Sequence, residues 1–239
     1  MIRQIRILGL SMLAVVAIGA ISSASASAST QSFSICREGG TEKYENHLCG
    51  KTAETGKWSF APVEKAEKYT LEGTGGVSKL EGLIGGTKVV VECKKGKITG
   101  EIESEGKTKN LVIVYEECKL FTIVKHVRAA TACIVSNITT NKLIGTLVEG
   151  SDHGPEDELA PAEGTTLAKV KVAECALESM ENVTGKQTCS IPEAVAGLVE
   201  HELVCSPSGG ALEFGKKPAS YYGTTSAKLS NGSAWGTEP

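Results

Sequence analysis

Eight cysteines constrain this chain more than any other feature: Cys36, Cys49, Cys93, Cys118, Cys133, Cys175, Cys189 and Cys205. All of them follow residue 28, and the first 28 residues have the form of an export leader. Arg3 and Arg6 give a positive start, and Ile7 to Ile21 is apolar apart from glycines and one serine. Ala24-Ser25-Ala26 and Ala26-Ser27-Ala28 are small-x-small cleavage sites. The apolar run is short for a membrane span, which needs about 20 residues. Residues 1–28 are therefore read as a signal peptide. The rest is read as a secreted chain, extracellular or in the cell envelope, with no membrane anchor after cleavage. An even cysteine count behind a leader predicts four disulfides. No C-x-x-C pair occurs, so the spacing does not match a zinc knuckle or ribbon. Pairing sequence neighbours predicts Cys36–Cys49, Cys118–Cys133 and Cys189–Cys205, which leaves Cys93–Cys175.

The patterning between the cysteines is that of short strands. From Gly86 to Glu103, GTKVVVECKKGKITGEIE reads as a β-hairpin turning at Lys95-Gly96. That register puts Cys93 opposite Ile98, Val91 opposite Gly100 and Val89 opposite Ile102 on one apolar face, with polar pairs on the other. Gly85-Gly86 and Glu105-Gly106 are turn signals. Leu111 to Tyr115 is apolar on both faces and reads as a central strand covered on both sides. Further strands are expected at Trp58 to Val63, Lys68 to Glu72, Phe121 to Val127, Leu143 to Glu149, Leu167 to Cys175, Val195 to Cys205, Ala211 to Phe214 and Tyr221 to Leu229. Ile191 to Glu202 has room for one or two helical turns, and no amphipathic helix is evident. The fold expected is all-β: an antiparallel β-sandwich or barrel stapled by disulfides, with little helix outside the leader. Residues 29–85 are read as an irregular N-terminal segment with a small disulfide loop, and residues 86–239 as the main antiparallel β domain.

Residues that carry chemistry are few. His201-Glu202-Leu203-Val204-Cys205 begins like the H-E-x-x-H zinc motif, but Cys205 stands at the second histidine and the segment looks extended. The acidic loop Ser151 to Glu158 offers Asp152, His153 and Glu156 as weak binding candidates, with oxygen ligands of the type calcium prefers but without EF-hand spacing. Trp58, Trp235, Tyr221 and Tyr222 are candidates for a sugar-stacking platform, with Trp235 and Tyr222 the preferred pair. No G-x-S-x-G elbow is present, no catalytic set stands out, and no metal or cofactor is implied. Losing Arg3 and Arg6 with the leader takes the formal charge from −3 to −5, which is no footprint for nucleic acid.

Several stretches resemble a set of uncharacterised secreted, cysteine-containing, β-rich proteins of actinobacterial type. They are Cys36 and Cys49 followed by Lys57-Trp58, then GTKVVVECKKGKITG, Glu117-Cys118, Leu143 to Glu149, Ala173-Glu174-Cys175 and the terminal GKKPASYYGTTSAKLSNGSAWG. The resemblance spans most of the mature chain and implies a secreted β-rich fold. That family has no established activity, so it assigns no functional residues. The reading of the chain is a secreted or envelope-associated protein with a binding or structural role, cell-wall or extracellular carbohydrate being one class of partner. The alternatives are a secreted hydrolase of polysaccharide or peptide, and a lectin-like module.

Overall fold

The computed structural model describes residues 31–41, 43–150, 154–192 and 197–238; the signal-peptide reading falls outside them. Among the described residues there is no helix. The strands are β1 (Ser32–Glu38), β2 (Trp58–Pro62), β3 (Tyr69–Gly75), β4 (Ser78–Ile84), β5 (Thr87–Glu103), β6 (Lys107–Val124), β7 (Val127–Val135), β8 (Ile138–Thr139), β9 (Leu143–Glu149), β10 (Pro155–Pro161), β11 (Thr166–Ala173), β12 (Ser179–Ser190), β13 (Glu200–Phe214), β14 (Lys217–Leu229) and β15 (Trp235–Glu238).

The pairings resolve into eight long staves in sequence order: β3 with β4, β5, β6, β7 with β8 and β9, β10 with β11, β12, β13, and β14. Each stave pairs antiparallel with the next. The last returns to the first, Leu229 opposite Leu71 and Tyr222 opposite Lys79. The result is a closed up-and-down barrel. Closure satisfies the backbone donors and acceptors that an open sheet leaves bare at its edges. The outer wall carries crossing ion pairs, such as Lys97 with Glu116 at 3.1 Å and Arg128 with Glu92 at 2.9 Å. Charged pairs stand there where a membrane-spanning barrel carries an apolar band.

The predicted hairpin at Lys95-Gly96 is not formed. β5 is one continuous strand, with Cys93 opposite Ser78 and Cys118, and Gly96 opposite Gly75 and Tyr115. The alternation does reverse, since Val89, Val91 and Cys93 face inward, then Ile98 and Ile102. A tight turn produces such a reversal, but so does an extra residue within a strand. Here the neighbours insert theirs at the same level. β3 and β4 break at Gly76-Val77, and β6 changes phase between Tyr115 and Cys118, where Glu117 takes φ 55°. Because all three shift together, the register on either side is unchanged. The turns lie at both ends of β5 instead, at Gly85-Gly86 (φ 55° and 82°) and Glu105-Gly106 (φ 61° and 62°). Tyr69 to Ile84 thus belong to the barrel, within the segment read from sequence as irregular.

Two other expectations change. Val112 and Val114 point to the outer wall and are only half-buried, because a barrel strand is covered by core on one side. Ala211 to Phe214 continues the strand that begins at Glu200, and the proposed helical turns of Ile191 to Glu202 end in extended chain; residues 193–196 lie outside the described residues.

A small sheet in the order β15-β1-β2 covers one end of the barrel. The Gln31 backbone lies against Gly106, and the Trp235 N–H donates to the Leu198 carbonyl at 3.1 Å. Phe33, Ile35, Val63 and Trp235 from this cap join the barrel core. Ile84, Val89, Leu120 and Phe214 are buried toward the opposite end.

All eight cysteines are paired. Cys36–Cys49 and Cys189–Cys205 form as expected. The expected Cys118–Cys133 and Cys93–Cys175 are replaced by Cys93–Cys118 and Cys133–Cys175. In a meander barrel only laterally adjacent strands bring Cα atoms within disulfide reach. Cys93 and Cys175 stand on staves that are not adjacent, whereas Cys93 is directly opposite Cys118.

Candidate functional site

An internal cavity of about 100 Å³ lies midway along the barrel. Apolar side chains from successive staves dominate its wall, among them Leu80, Val91, Ile113, Leu159, Val170 and Leu203. Small residues at inward positions leave the space. Gly75 and Gly96 stand opposite each other, and the Tyr115 ring lies over Gly96, with Cδ1 3.9 Å from where a Cβ would be. Tyr221 lies over Gly223 of its own strand, where a Cβ would run into its hydroxyl. A ring covering a strand glycine restores packing that the missing side chain forfeits.

The two tyrosines meet across the cavity wall. The Tyr115 hydroxyl donates to the Tyr221 oxygen at 3.0 Å, with ring centroids 6.1 Å apart and planes at 65°. The Ser78 side chain lies beside the Tyr221 hydroxyl, both flanking Gly223. Burial holds the Tyr115 phenol well above the usual tyrosine range, and it raises Tyr221 as well, so both stay neutral. Gln187 reaches the same cavity, but its amide N–H groups are spent on the Thr188 and Ser206 carbonyls at 2.9 and 3.0 Å. Those bonds pin an excursion in β13, where the register to both neighbours shifts between Cys205 and the Gly210–Leu212 stretch.

One rung nearer the cap, Asp157 points inward and is 2% exposed. It accepts the Thr146 N–H, and its Oδ1 has no hydrogen-bond partner. The Thr108 hydroxyl is likewise buried without a partner, and both oxygens occupy the space a side chain at Gly145 would fill. Burial raises the Asp157 carboxyl to about 7.

The residues singled out from sequence do not converge. Trp235 is 2% exposed, with its indole N–H on the Val199 carbonyl at 3.1 Å and its ring 4.5 Å from His201. It is a core residue of the cap and has no face for a sugar. Tyr222 is 47% exposed on the outer wall, Tyr221 faces the interior, and Trp58 packs edge-on with His47 beside the Cys36–Cys49 cluster. The four aromatics therefore form no shared platform. His201 is buried on β13 with Nε2 2.6 Å from the Trp235 carbonyl oxygen. Glu202 alternates to the opposite, exposed side, and Cys205 is bonded to Cys189, so no zinc-binding arrangement exists there. Glu156 is half-buried on the outer wall, beside an open groove of about 870 Å³ that also touches Ser206 and Ser208. Asp152 and His153 lie outside the described residues. Among the described residues no three His, Cys, Asp or Glu side chains group as metal ligands.

Sequence reasoning passed over Tyr115, Ser78 and Gln187. Tyr115 closes the apolar LVIVY run and faces inward by alternation with Leu111 and Ile113, but a run apolar on both faces does not say which face is the inner one. No protein-family model, curated protein or solved structure matches this chain.

Proposed function

We propose that this is a secreted binding protein that takes a small ligand into the middle of its barrel. The observation that carries the reading is the central void itself, apolar on most of its wall with a paired-tyrosine group on one side. Protein interiors are normally filled to crystal-like density, and binding sites are mostly apolar with a few placed polar groups. Eight strands make a barrel whose interior is either filled by side chains or holds one small ligand. Four disulfides suit an oxidising compartment, and the leader-like first 28 residues supply the route of export.

The hydrolase and lectin alternatives draw less support. His201 is engaged with the cap, and Trp235 and Tyr222 are on different surfaces. A fragment screen of the oxidised mature protein tests the binding reading, with methyl NMR of Ile98, Ile113 and Ile138, which line the cavity. Hits should move these three methyls together. A purely structural protein gives no hit that moves them.

A further inference from the structure

The distribution of groups around the cavity points to a class of ligand, an inference that rests on the binding reading above. No charged side chain lines the cavity. A buried ion without a partner loses its hydration uncompensated, which costs far more than a small site returns. The ligand is therefore neutral.

The wall is also two-sided. Ser78, Tyr115 and Tyr221 come from the first, third and eighth staves, which are neighbours or near-neighbours around the closed ring. The fifth and sixth staves, across the barrel, contribute Leu159, Leu167, Val170 and Val183. Of the other polar groups, Thr225 stands on the eighth stave with Tyr221, the Gln187 amide N–H groups are committed to the β13 excursion, and the Thr140 hydroxyl accepts the Ile113 N–H at 2.9 Å. Three neighbouring hydroxyls, with the Tyr115 O–H spent on Tyr221, retain O–H donors and several lone pairs. A ligand hydroxyl, donor and acceptor at once, matches that set. The volume of about 100 Å³ suits a molecule of about four to five non-hydrogen atoms, scaled from six-atom benzene in a cavity of about 150 Å³. We infer that the site takes a small neutral amphiphile, with a hydroxyl head on the Tyr115–Tyr221–Ser78 group and an aliphatic tail against Leu159, Leu167, Val170 and Val183.

The test uses the oxidised mature protein, methyl-labelled at isoleucine, with three probes of matched size: 1-butanol, n-pentane and propionate. In the wild type, 1-butanol and n-pentane should both shift Ile98, Ile113 and Ile138, and propionate should not. The double variant Tyr115→Phe with Tyr221→Phe keeps both rings. It should weaken 1-butanol about five- to tenfold, the worth of one hydrogen bond, and leave n-pentane unchanged or tighter. Ser78→Ala, read the same way, serves if the double variant loses its near-UV signal. Equal responses of 1-butanol and n-pentane to these substitutions would overturn the hydroxyl head while leaving cavity binding intact. Propionate binding as well as 1-butanol would overturn the neutral class. Silence of all three methyls with every probe would remove the binding reading as well.

Discussion

Cys93 and Cys118 stand directly opposite one another on β5 and β6, and their disulfide ties the second stave to the third. Cys133–Cys175 ties the fourth stave to the turn that ends the fifth, and Cys189–Cys205 ties the sixth to the seventh. The barrel is thus stapled at alternate seams. Peptide mapping under non-reducing conditions should recover Cys93–Cys118 and Cys133–Cys175, and a Cys118–Cys133 peptide would contradict the arrangement. Replacing Cys93 and Cys118 together by Ala should lower stability by about 3 kcal/mol in urea titration, since the bond closes a loop spanning 25 residues.

Asp157 should make the protein less stable as the solution becomes more basic. Its carboxyl is raised from 3.8 to about 7 in the folded chain, so the folded state binds the proton more tightly than the unfolded one. The resulting stabilisation, relative to the ionised group, is complete below about pH 4. It is lost as pH rises from there to about 7, over a range worth on the order of a few kcal/mol. Asp157→Asn keeps an acceptor for the Thr146 N–H and adds a donor on the side of Thr108. Its unfolding midpoint should be flatter across this window and higher than that of the wild type at pH 8. A wild-type curve that rises from pH 5 to pH 7 with the slope removed by Asp157→Asn would mean that the carboxyl is ionised in the fold.

Trp235 is the hinge between cap and barrel. Its ring meets Phe33 at 5.9 Å and His201 at 4.5 Å, and its backbone bonds to both Leu198 and His201. Trp235→Ala should cost about 3–5 kcal/mol through the cavity it leaves. Hydrogen exchange should show the loss concentrated in Phe33, Ile35 and their neighbours in β2, with β5 and β6 still protected.

Gly223 and Gly96 should respond differently to the same methyl group. A Cβ at Gly223 collides with the Tyr221 hydroxyl, so Gly223→Ala should displace the ring from Tyr115 and cost about 1–3 kcal/mol. At Gly96 the nearest atom to an added Cβ is the Gly75 Cα at 3.5 Å, an ordinary contact. Gly96→Ala should change stability by less than about 1 kcal/mol, because it also relieves the entropic disadvantage of a strand glycine. Urea midpoints for the two variants distinguish them.

Read alone, the sequence determined the all-β class, the complete pairing of its cysteines, and the turns at Gly85-Gly86 and Glu105-Gly106. These follow from local rules: side-chain period, turn chemistry and an even cysteine count. Only the tertiary structure decided that β5 runs straight through Lys95-Gly96. A phase reversal within one strand looks the same as a turn until the neighbouring strands are known to reverse at the same level. Barrel closure, set by the return of β14 to β3 and β4, decided which cysteines meet. It also decided that Trp235 lies in the core and that Tyr115, Ser78 and Tyr221 share one wall of the cavity. Residues 37 and 106 positions apart come together there because hydrogen bonding around a closed ring, and no local pattern, fixes which strands are neighbours.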